Sequence, residues 1–250
     1  MAEVLPSFNR QAVEPIECLK SGFALIKDRY WLFFGITAIG MLIASLVPMG
    51  ILMGPMMCGM YLAFFEKMRG RNVEFGLLFK GFDYFAQSLI ATLLVMLPIF
   101  LITIPFTVLV MAGSFAFAHR QQQGGGNQPD PKTVAVMVIG IMVFVVVMMI
   151  IGLMVGVIIA FAYPLIVDRK LSAIQAIKTS LRASMANFWR LVGLLLLNAL
   201  LGMVGALFCY VGALFIMPVT MAANAMAYRQ VFGLSENPPP ISSVPPVQNP

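Results

Sequence analysis

The chain has 250 residues, of which 60% are hydrophobic and only 10% are charged, and its mean hydropathy is +0.93. A soluble domain carries about a quarter charged residues, so this composition excludes water as the solvent for most of the chain and favours lipid. The net charge of +6 would suggest a nucleic-acid partner for a soluble protein. In a membrane protein it is explained by Lys and Arg in cytoplasmic loops, so we predict no nucleic-acid partner.

Six apolar runs predict transmembrane helices, since a helix needs about 20 residues to cross the hydrocarbon of a bilayer. In chain order they cover residues 31–47, 51–65, 86–118, 134–167, 191–207 and 211–231. The third run is interrupted by Pro98 and Pro105. The fourth is long enough for two short spans, although no turn signal lies at its middle. We therefore predict an all-α polytopic membrane protein with about six spans.

The distribution of basic residues supports six spans with both termini in the cytoplasm. All but two of the sixteen Lys and Arg residues then lie on the cytoplasmic side, and only Arg120 and Lys132 lie outside. Splitting the fourth run would move several of them outward, against the positive-inside rule.

Three cytoplasmic segments have the pattern of amphipathic helices that lie in the membrane interface. The first begins at Pro15, the second covers residues 75–83, and the third begins with Ser172 and Gln175 at the spacing of a capping box. Basic amphipathic faces bind anionic headgroups. Packing against the protein's own cytoplasmic surface explains the pattern equally well.

The layout predicts a parallel internal repeat in a single membrane domain, residues 1–233. Its units cover residues 12–70, 71–168 and 169–233, each an interfacial helix followed by a membrane hairpin. The matching positions are Tyr30, Trp31 and Gly35 against Phe188, Trp189 and Gly193, with prolines at Pro55, Pro164 and Pro218. Residues 234–250 are rich in proline and predict a disordered cytoplasmic tail.

Reactive groups are scarce, so we predict that the protein is not an enzyme. The three cysteines, Cys18, Cys58 and Cys209, lie far apart, and His119 is the only histidine. A Cys/His metal site needs three or four ligands, so neither a metal nor another cofactor is predicted. The apolar runs also lack the buried charges that ion-coupled transport requires.

Small and polar residues within the spans are the candidate functional positions. Small-xxx-small patterns let helices approach closely, and Trp and Tyr favour the headgroup region. The predicted helix-packing glycines are Gly50, Gly54, Gly152, Gly156, Gly202 and Gly205. The predicted interfacial anchors are Tyr30, Trp31, Phe188, Trp189, Tyr228 and Arg229. Asn198 and Asn224 are the polar groups predicted to line a cavity, if the bundle has one.

Residues 160–233 resemble a group of uncharacterised bacterial six-helix integral membrane proteins. These are similar to the membrane domain that accompanies some glycerophosphodiester phosphodiesterases, whose catalytic domain this sequence lacks. The matching positions are Tyr163, Pro164, Leu165, Asp168, Ser172, Ala176, Ser180, Phe188, Trp189, Pro218, Ala227, Tyr228 and Arg229. The resemblance implies a six-helix fold in a bacterial cytoplasmic (inner) membrane.

Two functions fit these patterns. The first is a non-enzymatic accessory or scaffold subunit that contacts other membrane proteins, or a second copy of itself, through its helices. The second is a transporter or binder of a lipid-like or apolar small molecule. The first is favoured by the glycines and by the 20 methionines, which suit contact with an apolar partner. Membrane lipids are expected as partners in either case.

Overall fold

The computed structural model describes residues 6–47, 50–123, 131–207 and 211–235, and in these ranges the chain is all-helical. The helices in chain order are α1 (Pro15–Ile26), α2 (Tyr30–Leu46), α3 (Met53–Met68), α4 (Phe85–Gln123), α5 (Pro131–Ile159), α6 (Ala162–Arg169), α7 (Ala173–Ala186), α8 (Phe188–Leu207) and α9 (Val211–Phe232). Two 3₁₀ segments, Lys27–Arg29 and Phe75–Tyr84, precede α2 and α4.

Four helical stretches of the described chain are long and apolar enough to cross a membrane: Pro15–Leu46, Phe75–Gly113, Val138–Arg169 and Phe188–Leu207. This confirms the helical class and supports a membrane protein, while the count of six and the internal repeat stay predictions. The described residues leave out parts of the connections between predicted spans, at 48–49, 124–130 and 208–210, and the predicted tail from 236 onward.

The chain divides into two compact units. The first unit comprises residues 1–92 and 157–250, and the second comprises residues 93–156. The first unit has a packed core that includes Phe33, Phe64, Phe65, Leu165 and Tyr228. The second consists of the apolar parts of α4 and α5, where the rings of Phe106 and Phe144 stack within the unit.

Local sequence signals place several helix ends. Pro15 begins α1, as predicted, because the amide that proline lacks would be unpaired at this position. The predicted capping box of α7 is also confirmed: the Ser172 hydroxyl accepts from the amide of Gln175, and the Gln175 side chain accepts from the amide of Ser172.

The apolar run at 134–167 is not one helix, because α5 ends at Ile159 and α6 starts at Ala162. Pro164 cannot donate the helical hydrogen bond to residue 160, so the break falls one turn before it. The freed amide of Phe161 donates to the Ser180 hydroxyl (3.2 Å). A single proline near the end of the run thus separates a long apolar helix from a short buried one.

The segment predicted as the second interfacial helix is a 3₁₀ helix packed tightly onto α3. A Cβ on Gly59 would lie 2.0 Å from the carbonyl oxygen of Leu78, and a Cβ on Gly81 would lie 2.0 Å from that of Pro55. These glycines let two backbones touch. Leu77 and Leu78 are therefore buried, while Phe79 and Phe82 stay exposed.

Candidate functional site

Charged side chains meet where α3, α6 and α9 end, and Asp168 lies at their centre. Its carboxylate is fully buried and accepts hydrogen bonds from Arg69 Nη2 (2.5 Å) and from the Tyr228 hydroxyl (2.8 Å). The backbone amide of Ser235 donates to the same group (3.1 Å). A buried carboxylate is tolerable only when it is paired and hydrogen-bonded in this way.

Glu66, in the last turn of α3, is the second buried carboxylate of this cluster. Arg69 Nη1 and Arg71 Nη1 each lie 3.2 Å from its carboxylate oxygens. Arg69 therefore bridges the two buried acids. We call Glu66, Arg69, Arg71, Asp168, Arg169 and Tyr228 the ion cluster.

Helix geometry explains why these residues meet. Arg69 caps α3, and Arg169 is in the last turn of α6. Cations are favoured at helix C-termini, where carbonyl groups lack partners. Arg169 also reaches the C-terminus of α9, where its Nη2 donates to the carbonyl oxygen of Phe232 (2.9 Å). The cluster joins three helix ends and offers structural support; it holds no uncommitted general base or nucleophile.

The predicted interfacial anchors fall into two groups. Trp31 and Trp189 are the second residues of α2 and α8 and are 71% and 82% exposed. Tyr30 donates its hydroxyl hydrogen to the carbonyl oxygen of Phe215, and the Phe188 ring lies edge-on to Trp189. The exposed indole rings agree with a headgroup position, but the structure does not test it, so the anchoring role of these four residues stays a prediction.

The last two predicted anchors differ from each other. Arg229 is exposed, whereas Tyr228 is fully buried in the ion cluster, with its ring stacked on Phe232. Tyr228 thus supports the core instead of facing the headgroups.

The predicted packing glycines also separate into two kinds. A Cβ on Gly54 would lie 2.6 Å from the carbonyl oxygen of Ser88, and one on Gly205 would lie 2.8 Å from Ala213, so both permit close contacts within the first unit. Gly50 has a φ of +67°, which a turn requires. A Cβ on Gly152 or Gly202 would meet nothing within 4 Å, and Gly156 is half-buried in α5.

Asn198 and Asn224 are brought together between α8 and α9. Asn198 Nδ2 donates to Asn224 Oδ1 (3.0 Å). The buried Asn198 Oδ1 has no hydrogen-bond partner within the described chain. Polar pairs of this type join transmembrane helices.

The described residues contain no group of three or more His, Cys, Asp or Glu that could hold a metal ion. The pairing of Glu66 with Arg69 and Arg71 balances basic charge at the end of α3. The sequence patterns did not reveal the role of Asp168, whose only signal was an acidic residue beside Arg169 and Lys170 after an apolar run.

Comparison of the chain with protein-family models, with curated proteins and with solved structures finds no match.

Proposed function

We propose that this chain is a non-enzymatic subunit of a membrane assembly, embedded in a bacterial inner membrane by six helices with both termini in the cytoplasm. Its partner is another transmembrane protein or a second copy, and the contact surface is the second unit, residues 93–156. The resemblance stated above supports the location, and the distribution of Lys and Arg supports the topology.

One observation carries the proposal: none of the side chains described in residues 93–156 is buried, although they are almost all apolar. The first unit, by contrast, buries a core of its own. Apart from half-buried positions such as Phe106 and Phe144, the second unit therefore presents exposed apolar side chains, and lipid or protein must cover them.

The apolar helices of the second unit are longer than the hydrocarbon of a bilayer is thick. Within this unit the apolar part of α4, residues 93–118, is about 39 Å long, and that of α5, residues 134–156, is about 35 Å long at 1.5 Å per residue. The hydrocarbon is about 30 Å thick, and at an ordinary tilt of about 20° it covers about 32 Å of helix. Apolar surface beyond that depth is better covered by protein, which supports an assembly partner.

The test is the mass of the full-length protein after extraction in mild detergent. We expect an oligomer or a complex with a second membrane protein. A monodisperse, partner-free monomer would overturn the proposal.

A pair of matched variants locates the contact. Gly152→Leu and Gly140→Leu make the same change on α5 at positions about 120° apart around the helix. In both cases a Cβ would meet nothing within 4 Å, so neither disturbs the fold of the chain. We expect Gly152→Leu to weaken association because Gly152 and Gly156 form a small-xxx-small pair. Gly140→Leu should leave the complex intact.

The alternative function, binding of lipid-like molecules, is supported by one buried polar atom that lacks a hydrogen-bond partner. Asn198 Oδ1 is buried between apolar helices without a partner in the described chain, and a ligand hydroxyl would satisfy it. This alternative predicts that lipid extracted with the purified protein decreases in Asn198→Leu. Equal lipid content in the variant and the parent would rule it out.

A further inference from the structure

A cleft of about 290 Å³ opens between the 3₁₀ turn before α2 and the loop after α3. Its lining residues are Asp28, Arg29, Lys67, Gly70, Arg71, Asn72 and Val73. Three of these seven are cations and one is an acid. The cleft is at the small end of the range for ligand pockets, so it suits a headgroup and not a whole lipid.

The pairs around the cleft leave positive charge in excess. Lys67 pairs with Asp28, and Arg71 pairs with Glu66. Arg29 Nη1 instead donates to the neutral amide oxygen of Asn72 (2.6 Å). Among the lining residues, three cations (Arg29, Lys67, Arg71) accompany one acid (Asp28), and the buried Glu66 beside Arg71 leaves a net positive charge of one. This positive charge suits an anion.

The wall residues of the cleft adjoin two apolar helices. The α2 helix begins directly after Arg29 with Tyr30 and the exposed Trp31, and carries no charge through Leu46. Lys67 is in the last turn of α3, whose preceding residues are apolar up to Glu66. If these helices are embedded as proposed above, the cleft lies at headgroup depth, where indole rings favour the interface.

From this geometry we propose that the cleft binds the phosphodiester headgroup of an anionic phospholipid. The phosphate oxygens accept from Arg29, Lys67 and Arg71, and the acyl chains lie along the exposed apolar side chains in the first half of α2, among them Trp31 and Ile39. Basic pockets at the cytoplasmic ends of membrane helices recognise headgroups in this manner. The proposal rests on the membrane embedding of α2 and α3, but not on the existence of a protein partner.

The experiment measures lipid retained by the full-length protein in neutral detergent, by native mass spectrometry, after addition of phosphatidylglycerol or phosphatidylcholine. We expect clear preference for phosphatidylglycerol and a loss of at least about ten-fold in Arg29→Gln, as for a lost charge-assisted hydrogen bond. Arg29 is exposed and its contact with Asn72 is polar, so this variant should fold. Lys178→Gln, which removes one exposed charge from α7, is the matched control and should retain lipid normally.

Three results would overturn the proposal: equal retention of the two lipids, equal retention by Arg29→Gln and the parent protein, or displacement of phosphatidylglycerol by millimolar inorganic phosphate. The last would assign the cleft to free phosphate. The oligomeric state is measured in the same spectra. A monomer that still retains phosphatidylglycerol through Arg29 would therefore refute the assembly proposal and support the headgroup site.

Discussion

Tyr228 donates a hydrogen bond to Asp168 across 2.8 Å, although the two residues lie 60 positions apart in the chain. Arg69 binds the other carboxylate oxygen from the end of α3. The buried carboxylate of Asp168 thus links the ends of three helices. Apolar packing alone is not directional and would not fix their relative positions. The stability of the first unit should therefore depend strongly on this single charge.

Asp168→Asn should destabilise the protein by about 3 kcal/mol, because the buried Arg69 keeps only Glu66 as a partner and the half-buried Arg169 loses its carboxylate. Tyr228→Phe removes one hydrogen bond to that charge and should cost about 1.5 kcal/mol. The measurement is reversible unfolding in mixed detergent micelles. Asp28→Asn, at an exposed ion pair with Lys67, is the control and should change stability little. Equal effects of the Asp168 and Asp28 variants would contradict the assigned role.

Gly81→Ala should prevent correct packing of the 3₁₀ segment on α3. Its Cβ would lie 2.0 Å from the Pro55 carbonyl oxygen and 2.5 Å from the Gly59 amide nitrogen, and backbone cannot move aside cheaply. We expect a cost of at least about 3 kcal/mol and poor recovery of folded protein. Gly76→Ala, in the same segment with nothing within 4 Å, should be close to neutral. Similar melting temperatures for both variants would refute the close approach.

Ser172→Ala should cost about 1 kcal/mol, because the first-turn amide of Gln175 loses its capping oxygen. Ser172→Gly should cost only a few tenths. The comparison is with Ser21→Ala in the interior of α1, where alanine is the better helix former. If thermal unfolding shows the same change for the two alanine variants, the cap contributes nothing to stability.

Cysteine labelling distinguishes six spans from four. With six, a cysteine at position 119 faces outward and one at 178 faces the cytoplasm. If only the four long apolar stretches crossed and the N-terminus stayed inside, both positions would exchange sides. We expect an impermeant maleimide to label His119→Cys and to spare Lys178→Cys in intact cells, in a background carrying Cys209→Ser. The buried Cys18 and Cys58 should stay unlabelled, and the reverse pattern at 119 and 178 would reject six spans.

Much of the helical layout follows from local patterns in the sequence. Pro15 and Ser172 mark helix starts, and the apolar runs predict α2, α3, α4, α8 and α9 to within a few residues. These signals are readable because caps, prolines and apolar length act over a few neighbouring residues. The break before α6 was missed because Pro164 acts on the turn before it, where the apolar run looks continuous.

The ion cluster and the tightest contacts could not be predicted in the same way. Glu66, Asp168 and Tyr228 come from three distant parts of the chain, and no spacing rule joins them. The spacing of Gly50 and Gly54 suggested helix packing, whereas Gly59 and Gly81 meet across two different elements. Tyr228 was predicted to be a headgroup anchor because it lies near the end of a span. Both buried and exposed tyrosines occur at such positions, and the sequence does not distinguish them.

The contact between α1 and α9 links the start of the chain to its end. A Cβ on Gly22 would lie 2.8 Å from the amide nitrogen of Ala223. The amide of Asn9 donates to the carbonyl oxygen of Val231 (2.8 Å), and that of Glu14 donates to the Gln230 side chain (3.0 Å). Ribosomes deliver these surfaces in the order α1 first and α9 last, at roughly 5–20 residues per second. During synthesis α1 therefore stays without its packing partner for more than about ten seconds and is accessible to proteases and chaperones. A chain that ends before α9 would keep this surface of α1 exposed and should be degraded.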